Sequence, residues 1–161
     1  MEVVEANEAT GADEMGPPAP RPCVSCPYRR DVPSGVWDYA EYDKLRAYDG
    51  EMSVQATQVF QCHQSDADSP GRRMCAGWVG CHGGRQLLAL RLALIQDRIS
   101  GHTFEVAAAY ESGAPLFASG GEAADHGQRE IDEPGPDAQH AIWKVARTRS
   151  DLVAVELHSR D

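Results

Sequence analysis

The cysteines are the residues of this chain that are best suited to chemistry. There are five of them, and two form a Cys-x-x-Cys pair. Cys23 and Cys26 form this pair, in which two thiolates can converge on one metal ion from a single turn without straining the backbone. A tetrahedral metal site needs two more ligands. We predict that Cys62 and Cys75 supply them, because the twelve residues between them allow the chain to return to the first pair.

Three other residues could replace a ligand or lie next to the metal: His63, Cys81 and His82. His63 is the chief substitute, since it directly follows a predicted ligand. Cys81 and His82 form a reserve pair, and a buried cysteine without a ligand role is the default interpretation of Cys81.

Zinc is the metal that a set of four cysteines favours. The chain lacks a second Cys-x-x-Cys pair, however, and this departs from the spacing of common zinc ribbons. An iron–sulfur cluster of the [4Fe-4S] type tolerates scattered cysteines, and a proline follows Cys26 as it follows ligating cysteines in ferredoxin-type sequences. We therefore expect Zn²⁺ as the cofactor and keep a [4Fe-4S] cluster as the alternative, with free or redox-active thiols as a third interpretation.

Three catalytic interpretations of the Cys-x-x-Cys pair each lack a required neighbour. A zinc deaminase needs a His-x-Glu upstream of its Pro-Cys-x-x-Cys motif, and every histidine here lies downstream. A thioredoxin-like dithiol follows a strand and begins a helix, whereas this pair follows a proline-rich stretch. A c-type haem attachment needs a histidine at the position of Pro27. We therefore assign no catalytic residue, and an enzymatic role would first be sought at His63 or Asp66.

The charge of the chain is concentrated at its two ends. Residues 1–20 carry a net charge of −5, residues 21–112 of −1 and residues 113–161 of −4, which together give the net charge of −10. Acidic ends around a nearly neutral centre predict solvated flanks around a folded core. We accordingly predict a disordered acidic leader over 1–20, a metal-binding domain over 21–113 and an acidic flexible tail over 114–161, in which a short helix and a short strand could form.

The same composition bears on compartment and partners. The acidic balance argues against nucleic acid as a partner, because backbone phosphates repel an acidic surface. The longest apolar run, residues 87–95, is interrupted by Arg91 and is too short to span a bilayer. The first twenty residues do not have the pattern of an export signal. We therefore expect a cytoplasmic protein without membrane contact, in which clustered cysteines bind metal rather than form disulfides.

The elements that would position the cysteines are mostly helical. Helical spacing of apolar residues predicts helices over 36–48, 85–100 and 104–110. Residues 54–62 are richer in β-branched and aromatic side chains and predict an extended segment that delivers Cys62. The expected fold class is a small α+β domain, mainly helical and loop-rich, stapled by one metal site.

Three short motifs together resemble a small uncharacterised family from phages and high-GC bacteria, known as a domain of unknown function. They are Cys-Val-Ser-Cys-Pro-Tyr-Arg from residue 23, Phe-Gln-Cys-His from residue 60 and Cys-Ala-Gly from residue 75. The resemblance covers about residues 21–95. It implies that Cys23, Cys26, Cys62 and Cys75 are the cysteine set of the family, with His63 beside them, and it implies no activity.

The function expected from the sequence is that of a metal-stabilised binding or regulatory module that acts through a macromolecular partner, with a protein as the expected partner. The alternative is an iron–sulfur protein with a redox-sensing or enzymatic role.

Overall fold

The computed structural model describes residues 14–64 and 70–147. Six α-helices account for most of the regular structure in these ranges. They are α1 (Tyr39–Asp43), α2 (Ala76–His82), α3 (Leu88–Ile95), α4 (Gly101–Ala108), α5 (Gly120–Gln128) and α6 (Pro136–Ala146). Short 3-10 segments are interspersed at Lys44–Tyr48, Met52–Val54 and Gly84–Gln86. No helix of the described part is long and apolar enough to cross a membrane.

The expectation of a small, mainly helical domain is confirmed, but its β component is not supported. In residues 14–64 and 70–147 the β-structure consists of isolated bridges, which join Gly16 to Arg73, Arg29 to Leu116 and Gln61 to Met74. The predicted extended segment pairs only at its end, because much of the segment lies against the helices instead. Its first part, for example, hydrogen-bonds through Ala56 N–H to the Ala47 carbonyl at 2.9 Å.

The predicted helix over 85–100 is shorter in the structure, where α3 ends at Ile95. Asp97 has a positive φ of 56° and acts as the left-handed residue that ends the helix. The N–H of Asp97 bonds to the Leu94 carbonyl at 3.2 Å and that of Arg98 to the Ala93 carbonyl at 2.8 Å, which is the Schellman pattern. The sequence hid this stop because an aspartate stands where glycine is usual.

The core is built around α2, whose Trp78 and Val79 are fully buried. The Trp78 ring meets Tyr48 edge-to-face with centroids 5.3 Å apart, and Phe60 packs beside both rings. Aromatic pairs of this geometry add to the free energy of area burial. Because α2 directly follows Cys75, the centre of the core also fixes one of the predicted ligands.

Within the described part, residues 114–147 pack on this core, whereas we predicted a flexible tail over 114–161 with a possible short helix and strand. Helix α5 buries a stripe of small residues: Gly120, Ala123, Ala124 and Gly127. Helix α6 buries Ala138, Ile142 and Val145. The composition of 116–139 predicts a linker or disordered tail, because the packing face of α5 consists of glycine and alanine, which score low in hydrophobicity but allow close approach. The predicted strand over 152–157 lies outside the described residues.

Residues 14–20 also differ from the disordered leader predicted for 1–20. The Gly16 N–H bonds to the Arg72 carbonyl at 3.0 Å, and the Met74 N–H bonds to the Gly16 carbonyl at 3.3 Å. Met15 packs against the core. This part of the chain therefore lies beside the segment that carries Cys75. Residues 1–13 are outside the described part.

Tyr42 joins α1 to the loop before it, where the predicted helix over 36–48 does not form its first turn. The buried Tyr42 hydroxyl accepts hydrogen bonds from the N–H groups of Val36 and Trp37 at 3.0 and 3.2 Å. We expect Tyr42→Phe to lower the free energy of unfolding by about 1 to 2 kcal/mol, because two buried backbone donors lose their acceptor. Urea titration measures this, and Tyr39→Phe, at an exposed ring on the same helix, is the matched control. Equal stability of the two variants would contradict the prediction.

Candidate metal centre

The Cys23–Cys26 pair lies on a tight turn that other residues hold in place. The Cys26 N–H bonds to the Cys23 carbonyl at 3.0 Å, which closes the turn. The Arg29 guanidinium donates to the Pro22 carbonyl at 3.1 Å, and the Trp37 indole N–H donates to the Ser25 carbonyl at 2.9 Å. We call residues 22–27 the knuckle. Its backbone conformation is thus fixed from both sides, as a metal-binding turn requires.

The other two predicted ligands come together through the short antiparallel pairing around Gln61 and Met74. The Cys62 N–H bonds to the Arg73 carbonyl and the Cys75 N–H to the Phe60 carbonyl, both at 2.8 Å. Cys75 also caps α2, since its Sγ accepts the Trp78 N–H at 3.4 Å. This pairing brings Cys62 and Cys75 to the knuckle.

The four thiols contact one another in sequence across three separate parts of the chain. Cys62 interacts with Cys23, Cys23 with Cys26, and Cys26 with Cys75. The Sγ atoms of Cys26 and Cys75 lie 3.7 Å apart. Within residues 14–64 and 70–147, no three His, Cys, Asp or Glu side chains are gathered closely enough around one point to hold a metal ion as they stand. A metal would therefore have to draw the thiols from pairwise contact into a closed set.

Proximity and burial oppose ionisation of the Cys23, Cys26 and Cys62 thiols. The hydrogen bond to Cys26 and burial raise the pKa of Cys23 to about 12, although its contact with Cys62 acts in the opposite direction. The contact with Cys23 lowers the pKa of Cys26, but the contact with Cys75 and burial outweigh it, so that the pKa lies well above its usual value. The contact with Cys23 and burial likewise raise the pKa of Cys62. At neutral pH these thiols are protonated unless a cation stabilises the thiolates, and metal binding would release their protons.

His63 lies beside the thiols but is engaged with other partners. Its Nε2 lies 3.0 Å from Oε2 of Glu41. Its ring packs on Trp37 and Phe60, with centroids 4.5 and 5.0 Å away. The hydrogen bond with His63, helped by Lys44, lowers the pKa of Glu41 to about 2. The Nε2 atom of His63 is therefore held by a carboxylate, and its ring packs among aromatic side chains.

Cys81 and His82 occupy a different location, beyond the ring of Tyr28. They line a cavity of about 370 Å³ together with Asp49. The Tyr28 hydroxyl lies 3.4 Å from His82 Nε2, while His82 Nδ1 lies 3.9 Å from Asp49. Burial raises the pKa of Cys81 to about 12 and lowers that of His82. The structure thus brings together the four thiols of the preferred set and leaves the reserve pair apart. Asp66, the other candidate for an enzymatic role, lies outside the described residues.

The site includes residues that the sequence analysis did not identify. Ser25 is buried within the knuckle, and its hydroxyl accepts a hydrogen bond from the Gln64 amide at 2.9 Å. Gly77 faces the knuckle so closely that a Cβ there would collide with Cys26 Sγ and lie 2.8 Å from the Tyr28 Cβ. The one sequence signal for Gly77 was its place two residues after a predicted ligand. Nothing in the sequence indicated that Trp37 reaches the knuckle.

Four thiols that contact one another pairwise, in a mainly helical domain, define a small cysteine-rich domain. Among such domains, the chain belongs to DUF6283, a family of unknown function whose profile matches residues 18–149. The predicted membership of an uncharacterised domain family is confirmed. No curated protein and no solved structure matches the chain. The matched range runs from before the knuckle to beyond α6, so that the family unit includes the C-terminal helices.

Proposed function

We propose that the protein is a metal-stabilised binding or regulatory module in which Cys23, Cys26, Cys62 and Cys75 hold one Zn²⁺. The observation that carries this proposal is the 3.7 Å separation of the Cys26 and Cys75 sulfurs. Four sulfurs at about 2.3 Å from a central zinc stand about 3.8 Å apart along each edge of the tetrahedron. One edge of the site therefore already has the length that zinc requires.

The chemistry of the donors supports a structural role for the metal. All four are thiols, and a site closed by four cysteines leaves no coordination position for a substrate. The neighbouring Cys26 and burial raise the pKa of the Cys23 thiol, so its thiolate form needs a positive charge nearby. A divalent cation would supply that charge. The module then acts through its surface, and the net charge of −10 favours a protein over nucleic acid as the partner.

Metal analysis of protein purified without oxygen tests this proposal. We expect a colourless protein with about one zinc per chain. A brown protein with iron, acid-labile sulfide and visible absorption would instead favour the iron–sulfur alternative, with a redox-sensing or enzymatic role. Protein without any metal, which stays metal-free after zinc is added under reducing conditions, would contradict both.

A further inference from the structure

A groove lies between the knuckle and the exposed side of α6. It has a volume of about 510 Å³, and its walls include Val24 and Ser25 from the knuckle and Trp143 from the helix. We propose that this groove docks an acidic segment of a protein partner through one apolar side chain and flanking carboxylates. The inference rests on the proposed function in one respect, which is that the module acts through a protein.

The groove is apolar at its opening. Val24 is 71% exposed and Trp143 is 54% exposed, although both are large apolar side chains. Ala141 lines the groove between them. Exposed aromatic and aliphatic side chains that line a concave surface are typical of the anchor pocket of a protein interface. The expected anchor of the partner is therefore one aliphatic side chain.

The rim of the groove is cationic in a chain that is acidic elsewhere. Lys144 and Arg147 line it. Among the described residues neither forms an ion pair with a carboxylate. The Arg147 guanidinium lies 4.6 Å from the centre of the Trp143 ring, and the His140 ring stacks near the same indole. Asp137 is the one carboxylate that lines the groove in the described part.

These charges select the class of occupant. Cations without carboxylate partners beside an apolar pocket complement an anionic segment that carries an apolar side chain. A nucleic acid would need a longer cationic track, and the net charge of the chain would repel it. A small inorganic anion would leave Val24 and Trp143 exposed. An acidic peptide with an aliphatic anchor satisfies both parts of the groove.

The groove also shares its wall with the candidate metal centre. Val24 and Ser25 stand between Cys23 and Cys26. The Gln64 side chain, which lines the groove, donates a hydrogen bond to the Ser25 hydroxyl. A change in the metal state of the knuckle would therefore change the shape of the groove. This gives the metal a regulatory effect on partner binding.

Synthetic peptides and the full metal-loaded chain test the inference. The probes are an acidic peptide with a central leucine, the same peptide with alanine for leucine, and the same peptide with lysine for each acid. We expect the first to bind at micromolar concentrations, the alanine peptide about tenfold more weakly, and the lysine peptide not at all. A titration monitored by amide chemical shifts measures both the affinity for each peptide and the residues at which it binds. An oligothymidylate, titrated in the same way, tests whether the groove binds nucleic acid instead.

Charge reversal supplies the matched variants. The double variant Lys144→Glu with Arg147→Glu should bind the acidic peptide about tenfold or more less tightly. The control variant Arg91→Glu with Arg98→Glu changes the net charge by the same amount, but away from the groove. Its affinity for the peptide should fall less than threefold. Equal losses in the two double variants, tighter binding of the oligothymidylate, or no binding of the acidic peptide at millimolar concentration would overturn the inference. Peptide binding by a chain that holds no metal would contradict the proposed function and the effect of the metal on the groove, but not the docking of an acidic segment. Zinc-loaded protein that binds no peptide would contradict the docking inference alone.

Discussion

Cys75→Ser is expected to abolish metal binding and to leave the domain unfolded at 25 °C. Cys75 holds one corner of the candidate site, with its sulfur 3.7 Å from that of Cys26. A structural zinc contributes about 10 to 16 kcal/mol of apparent binding free energy, which is as large as the whole stability of a typical domain. Loss of one thiolate removes most of this contribution. Circular dichroism, thermal denaturation and metal content measure the result.

Serine at this position separates the metal role from the helix-capping role. The sulfur of Cys75 accepts the Trp78 N–H at the start of α2, and serine is a preferred residue at the same capping position. A loss of stability in Cys75→Ser therefore reports the metal rather than the cap. Cys81→Ser is the control, because Cys81 lies in the separate cavity beside His82. It should keep its zinc and lose less than about 1.5 kcal/mol. If both variants retain metal and stability, the four-cysteine site is wrong.

Gly77→Ala is expected to destabilise the domain by about 3 kcal/mol, near the upper end of the cost of overpacking. The new Cβ would collide with Cys26 Sγ and stand 2.8 Å from the Tyr28 Cβ. Neither atom can withdraw easily, because Cys26 belongs to the knuckle and the side chains of Cys26 and Tyr28 are both fully buried. Alanine gains about 1 kcal/mol in helix propensity, which is too little to offset the collision. Metal content should fall together with stability, because the displaced atom is the sulfur of a proposed ligand.

The control for this substitution is Gly101→Ala, which also places alanine in the first turn of a helix. A Cβ at Gly101 meets nothing within 4 Å. We expect its free energy of unfolding to change by less than about 1 kcal/mol. The expected direction is an increase, because alanine reduces the conformational entropy of the unfolded chain. Urea denaturation at neutral pH, with zinc measured on each sample, compares the two variants. Similar stabilities would show that the knuckle yields to the new methyl group and would contradict the packing described here.

The cysteines of the candidate site could be picked out from the sequence, because the chemistry of a thiol belongs to the cysteine residue itself. The choice of Cys62 and Cys75 over Cys81 needed only spacing and motif, and the structure places these two next to the knuckle. The groups that hold the thiols were not accessible in this way. Trp37 reaches the Ser25 carbonyl and Gly77 faces Cys26 only because distant segments meet in the tertiary structure.

The fold could be predicted from the sequence where apolar residues repeat at helical spacing. It could not be predicted where the packing face consists of small residues. The leucine-rich repeat predicted α3, although its end was misplaced because Asp97 takes the left-handed conformation. Helix α5 was missed, since Gly120 and Gly127 carry no hydrophobic signal. Glycine allows two backbones to approach more closely than any larger residue would, and sequence periodicity does not report this. The α+β interpretation is not supported, because in the described part of the chain the extended segment pairs only around Gln61.

The carboxylate of Asp49 has a consequence for how the chain can be divided. Its two oxygens accept the N–H groups of Gly120 and Gly121, each at 2.8 Å, at the start of α5. The same helix presses Gly127 against the ring of Tyr42. A chain cut at residue 113 would leave this carboxylate and this ring uncovered. We therefore expect the knuckle-bearing half and the C-terminal helices to fold together and to unfold as one cooperative body, rather than as a zinc finger with a detachable tail.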